Sequence, residues 1–90
     1  MKQHMATAET SGFQLRYFKT SGQGFEDESK FYHGIFVMKL EGEEVLEQAD
    51  SGFITEDAEQ AIALITCLAE NTVTPMALCE VLDEICPVFS

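Results

Sequence analysis

Phe31-Tyr32-His33-Gly34-Ile35-Phe36-Val37-Met38-Lys39-Leu40 is the most apolar strand-like run of the chain, and the fold reads outward from it. Extended backbone sends alternate side chains to opposite faces. Phe31, His33, Ile35 and Val37 therefore share one face, and Tyr32, Phe36, Met38 and Leu40 the other. Apolar groups on both faces suit a central strand covered on both sides, or covered on one side and docked to a partner on the other. Gly34, in mid-strand, marks a bulge or a close approach of another backbone.

The flanking segments supply the rest of a sheet. Phe13 to Lys19 alternates, with Phe13, Leu15 and Tyr17 on one side and Gln14 and Arg16 on the other, the pattern of a half-buried strand. Thr20 to Ser29 carries two glycines and three consecutive acids and reads as a loop. Glu41-Gly42 makes a tight turn, and Glu43 to Phe53 returns as a third strand with Val45, Ala49 and Phe53 inward. Residues 1–12 hold few large apolar groups and read as a flexible leader.

Beyond residue 54 the period changes to that of helices. Thr55 is the expected N-cap, with Glu56, Asp57 and Glu59 in a first turn whose dipole favours anions. Ala58, Ala61, Ile62, Ile65, Leu68 and Ala69 form an apolar stripe, and Asn71 stops it. Thr74-Pro75 places a cap and an N1 proline for a second helix. In it Leu78, Val81, Leu82 and Ile85 face inward, and Pro87 ends the run. The expected architecture is α+β in the order β-β-β-α-α: a three-stranded antiparallel meander over residues 13–90 with both helices on one face.

Charge narrows the function. The chain has 90 residues and a net charge of −11, with 5 Lys and Arg against 16 Asp and Glu. All the basic residues (Lys2, Arg16, Lys19, Lys30, Lys39) precede residue 40, and twelve carboxylates follow it. Binding to a phosphate backbone or an anionic lipid surface needs cations that displace counterions, so direct nucleic-acid and membrane binding are disfavoured. Residues 1–12 are polar and lack the apolar core of a signal peptide. Cys67, Cys79 and Cys86 are an odd number without framework spacing. Buried free thiols in a reducing cytoplasm are the expectation.

No constellation announces chemistry. Cys79 and Cys86 share a helix face, but no Cys-x-x-Cys spacing opens a zinc site. The acidic runs Glu26-Asp27-Glu28 and Glu41-Gly42-Glu43-Glu44 lack the alternating ligands of an EF-hand loop. Gly22-Gln23-Gly24 precedes neither Gly-Lys-Ser/Thr nor a helix, so it is no phosphate loop. His33 reads as a satisfied, partly buried side chain rather than a switch, and His4 falls in the leader. The sequence therefore designates no catalytic residue, no metal ligand and no cofactor.

One resemblance rests on specific residues. Asn71-Thr72-Val73-Thr74-Pro75-Met76-Ala77-Leu78, followed by Val81, resembles the ending of a family of small bacterial proteins of unknown function. That family, found mainly in low-GC Gram-positive bacteria, carries an Asn-x-Val-x-Pro-x-x-Leu-x-x-Val pattern after a strand containing Tyr-Gly-Ile. In this chain His33 is inserted between Tyr32 and Gly34-Ile35. The resemblance spans roughly Phe13 to Ile85. It implies a compact α+β domain and no activity, cofactor or catalytic residue.

The leading expectation is a non-enzymatic domain working by protein–protein contact, with self-association through Phe18, Tyr32, Phe36 and Met38, because two helices cover only one sheet face. The alternative is an acidic inhibitor that mimics nucleic acid, presenting Glu56, Asp57 and Glu59 to a basic DNA- or RNA-binding protein.

Overall fold

The computed structural model describes residues 2–23 and 30–82. Four strands, β1 (Lys2–Thr10), β2 (Phe13–Gln23), β3 (Phe31–Glu41) and β4 (Glu44–Thr55), form one antiparallel sheet in the order β1-β2-β3-β4. Helix α1 (Ala58–Glu70) follows, then a 3₁₀ turn, Pro75–Ala77, that continues as helix through residues 78–82.

Two expectations about the first half of the sheet are corrected. The sheet has four strands, not three, because residues 2–10 are a strand rather than a flexible leader. Its inward positions are held by small side chains, Ala6 and Ala8, beside Met5, all packed against the core. Ser11-Gly12 turns the chain, with Gly12 at φ +92°, into a hairpin that pairs Thr10 with Phe13 and Lys2 with Thr20. Second, Thr20 to Gln23 is not loop: β2 runs on, and Thr20, Ser21, Gly22 and Gln23 pair with Gly34, His33, Tyr32 and Phe31. The acidic run 26–28 lies outside the described residues.

β2 and β3 behave as their alternation requires. Leu15, Tyr17, Ile35 and Val37 are fully buried on one face, where they meet Leu64, Ile65, Leu68, Val73, Leu78 and Leu82. The helical stripe is rotated slightly from the expected one, since Leu64 is buried and Ile62 is 37% exposed. Ile85 and Pro87 lie outside the described residues.

β4 departs from regular alternation. Its pairing with β3 shifts register three times. Leu46 is an extra residue between the pairs Leu40–Val45 and Lys39–Glu47, and Asp50 to Phe53 spans one residue more than the facing Phe36 to Gly34. Each insertion reverses the side chains beyond it. Ala49 points inward opposite Val37, whereas Val45 and Phe53, expected inward, lie on the opposite face and are 42% and 50% exposed.

Gly34 explains the second shift. A Cβ there would collide with the Gly52 carbonyl oxygen, so the two backbones meet only because residue 34 has no side chain. The displaced ladder is repaired locally: the Ile35 N–H donates to Ser51 Oγ at 2.9 Å, and the Ser51 hydroxyl donates to the Gly52 carbonyl at 2.7 Å.

The helix ends are defined by their caps. Asp57, not Thr55, is the N-cap of α1: its carboxylate accepts from the Glu59 N–H at 2.9 Å. Thr55 acts one step earlier, accepting from the Asp57 N–H and donating to Gln60 Oε1. At the other end Asn71 is the C-cap, as expected. Thr72 takes the left-handed conformation at φ +47°, and the Thr72 and Val73 N–H groups return to the Ala69 and Leu68 carbonyls. That is a Schellman closure with threonine at the position glycine usually holds.

Candidate functional site

β2 and β3 also present a second, helix-free face. Register places Lys2, His4, Thr7 and Glu9 of β1 beside Thr20, Phe18, Arg16 and Gln14 of β2. Phe18, Arg16 and Gln14 in turn oppose Phe36, Met38 and Leu40 of β3. Val45, Gln48, Asp50 and Phe53 complete it from β4. The core and its helices occupy the other face.

The four residues designated from sequence, Phe18, Tyr32, Phe36 and Met38, all project from this face. Phe18 and Phe36 form its centre, with rings 5.8 Å apart and edge to face, a preferred aromatic geometry. Phe36 is only 8% exposed, since the Phe18 ring flanks it and the Lys2 ammonium lies 3.8 Å above it. Tyr32 stands toward one end, stacked on Phe53 at 6.5 Å, while the Phe53 ring lies over Gly22. Phe18, Tyr32 and Met38 are half-buried.

Polar side chains edge the aromatic centre. His4 packs its ring 5.3 Å from Phe18 and shares a 2.8 Å hydrogen bond with Thr7. Arg16 Nε donates to Gln14 Oε1 at 2.8 Å, and the Gln14 amide donates to Glu9 at 3.5 Å. The charges on this face are Lys2 and Arg16 against Glu9 and Asp50, a local balance on a chain of net charge −11.

The second set designated from sequence, Glu56, Asp57 and Glu59, falls at the start of α1 and has local employment. Asp57 caps the helix, and Glu56 pairs with Lys30 at 3.4 Å. Glu59 adds an anion to the first turn.

The remaining residues separate. His33 lies half-buried on the helix side of β3, and its Nδ1 is buried without a hydrogen-bond partner, contrary to the expectation of a satisfied ring. Cys67 is half-buried but Cys79 is exposed, so the expectation of buried thiols fails for Cys79; both are free, and Cys86 lies outside the described residues. Among the described residues no His, Cys, Asp and Glu cluster in a geometry that would hold a metal ion. None of their helices is long and apolar enough to cross a membrane.

Residues 1–88 match a single family pattern along almost the whole chain. The chain belongs to the family of unknown function DUF6514. The match includes β1, so the DUF6514 pattern takes in the whole four-stranded sheet. No curated protein and no solved structure matches the chain. In this DUF6514 member the helix-free face is the surface that bears on function. Sequence reasoning missed Lys2, His4, Asp50 and Phe53 on that face. The first two were hidden by reading β1 as a leader, the last two by the register shifts of β4.

Proposed function

We propose that this domain is a non-enzymatic protein-contact module, and that the helix-free face of its sheet docks on the same face of a second copy. The observation that carries the reading is the face's composition: half-buried Phe18 and Met38 and the exposed Val45 and Phe53 surround the buried Phe36 and Leu40, within a margin of balanced charge. Exposed apolar patches of this kind mark interaction surfaces.

Charge favours self-association over a foreign partner. Two chains of net charge −11 repel one another over most of their surfaces, and least where Lys2 and Arg16 offset Glu9 and Asp50. A two-fold arrangement lets the cations of one copy meet the carboxylates of the other. Size lies at the low end of what a stable interface needs. Four strands about 4.8 Å apart, each about ten residues long at about 3.3 Å per residue, offer roughly 600 Å² in projection. A standard interface takes about 800 Å² per partner. Free thiols at Cys67 and Cys79 support a reducing, cytoplasmic setting.

Light scattering over a concentration series tests the reading. The expected result is a dimer that dissociates on dilution. Met38→Glu is expected to hold the chain monomeric with an unchanged circular dichroism spectrum; Met38 is a better probe than Phe36, whose near-complete burial ties it to the fold. A monomer at every concentration overturns the proposal.

A further inference from the structure

Near one end of the helix-free face lies a cleft of about 280 Å³ lined by Lys2, Thr20, Ser21, Asp50, Gly52 and Phe53. Its deepest residue is Thr20, 8% exposed, whose hydroxyl oxygen has no hydrogen-bond partner. Buried polar atoms are otherwise nearly always paired, so this hydroxyl calls for a group that arrives from outside the chain. Glycine at position 34 lets the hydroxyl and the Gly52 carbonyl lie side by side against β3, since a Cβ there would collide with that carbonyl and come within 2.9 Å of the hydroxyl oxygen.

The walls of the cleft carry opposite charges that do not meet. Asp50 is held by the bulge of β4, its Oδ1 accepting from the Gly52 N–H at 2.8 Å, and bulges commonly re-aim side chains toward sites. Lys2 rests its ammonium on the Phe36 ring. It forms no ion pair with Asp50; the pairs among the described residues are Lys30–Glu56 and Lys39–Glu47. The half-exposed Phe53 ring, backed by Tyr32, supplies an aromatic wall.

The geometry points to a binding site for a small zwitterion of the α-amino-acid class. Its carboxylate meets the Lys2 ammonium and the Thr20 hydroxyl. Its ammonium meets the Asp50 carboxylate and the Gly52 carbonyl, and its side chain lies on Phe53. A simple anion is repelled by Asp50 and a simple cation by Lys2, whereas a molecule carrying both charges satisfies both walls. The volume is below the range of drug-sized pockets, which suits a ligand about as large as one amino acid. The inference does not rest on self-association: the cleft is open in the single chain. A dimer that pairs Lys2 and Asp50 across copies would compete with the ligand, so binding is read at a concentration where the chain is monomeric.

Amide NMR of the full chain, titrated with each of the twenty amino acids in turn, tests it. The expected result is saturable shifts at Thr20, Ser21 and Asp50 to Phe53 at millimolar concentration or below. N-acetylation or esterification of the ligand removes one of its charges and should abolish these shifts. Asp50→Asn, which keeps an acceptor for the Gly52 N–H, is expected to weaken binding about tenfold or more. Thr20→Val, of the same shape, weakens it without altering the spectrum elsewhere. The derivatised ligands keep the test decisive on the unaltered chain even where a variant fails to fold. The proposal is overturned by absence of saturable shifts at those amides for every amino acid, or by binding that survives both acetylation and esterification.

Discussion

The Tyr17 hydroxyl donates to the Val73 carbonyl at 2.8 Å, across 56 positions of sequence. Tyr17 is the largest fully buried side chain of β2, and Val73 closes the end of α1. One hydrogen bond thus fixes the central sheet to the link between the helices. That link cannot slide without stranding a buried carbonyl.

Removing the hydroxyl tests that coupling. Tyr17→Phe leaves the packing intact and the Val73 carbonyl without its partner, at an expected cost of about 1–2 kcal/mol, measured by chemical denaturation. Burial also pushes the Tyr17 hydroxyl up to about 12, from 10.0. The folded chain then keeps a proton that the unfolded chain loses first. The contribution is whole below pH 10.0 and is lost as pH rises toward about 12. At its fullest the loss is about 3 kcal/mol. Denaturation repeated across that interval should show a steeper alkaline decline for the wild type than for Tyr17→Phe; parallel declines would count against burial as the cause.

Thr72 marks a place where the sequence works against its own geometry. A β-branched residue at φ +47° carries a steric cost that glycine lacks. Thr72→Gly is expected to stabilise the domain by about 1 kcal/mol, raising the denaturation midpoint without changing its slope. A decrease in stability would show that the threonine side chain contributes more than its backbone costs.

Gly34 predicts the opposite sign. Gly34→Ala drives a methyl into the Gly52 carbonyl and toward the Thr20 hydroxyl. Both belong to the sheet, so relief requires the strands to part, and a loss of about 1–3 kcal/mol or more is expected. Gly42→Ala, at φ +64° in a turn with nothing within 4 Å, should cost only about 1 kcal/mol. Equal losses at the two sites would refute the close approach.

Residues whose neighbours in sequence are also their neighbours in space were legible without coordinates. The alternation of Phe31 to Leu40 assigned both faces of β3, and the period of Ala61, Ile65 and Leu68 assigned the buried side of α1. Its Asn71 stop was legible for the same reason. β1 was not, because Ala6 and Ala8 bury too little surface to register as a hydrophobic pattern, and the Ser11-Gly12 turn dipeptide went unread inside the supposed leader. Val45 and Phe53 were assigned to the wrong face because an inserted residue is invisible to a strict period of two. The cleft was hidden for both reasons together, since Lys2 comes from the unread strand and Asp50 from the shifted one.

The start of α1 separates two kinds of electrostatic contribution. Asp57→Ala removes the acceptor of the Glu59 N–H and should cost about 1 kcal/mol. Glu56→Gln breaks a pair with Lys30 whose two side chains are 52% and 53% exposed. An exposed pair of this kind contributes between about 0 and 1 kcal/mol. Denaturation in low and high salt distinguishes them. The effect of Asp57→Ala should persist, because its bond is a short-range cap, while that of Glu56→Gln should shrink as salt screens the pair.

Ile35 and Met38 lie three positions apart on one strand and face opposite ways, so they separate folding from docking. Ile35 is fully buried against the helices, and Ile35→Ala is expected to cost about 2–5 kcal/mol. That loss should be the same at micromolar and millimolar chain concentration, because the contact lies within one copy. Met38 is half-buried on the helix-free face, and under the proposed self-association Met38→Ala removes contacts made against a second copy. Mass action stabilises an associating fold by an amount that grows with the logarithm of concentration above the dissociation constant. The wild-type melting temperature should therefore climb with concentration, and that of Met38→Ala should climb less. Melting curves for the three proteins over a thousandfold dilution decide the matter. A wild-type curve that does not move, or a Met38→Ala deficit as constant as that of Ile35→Ala, would place Met38 among the residues that serve the monomer's own fold.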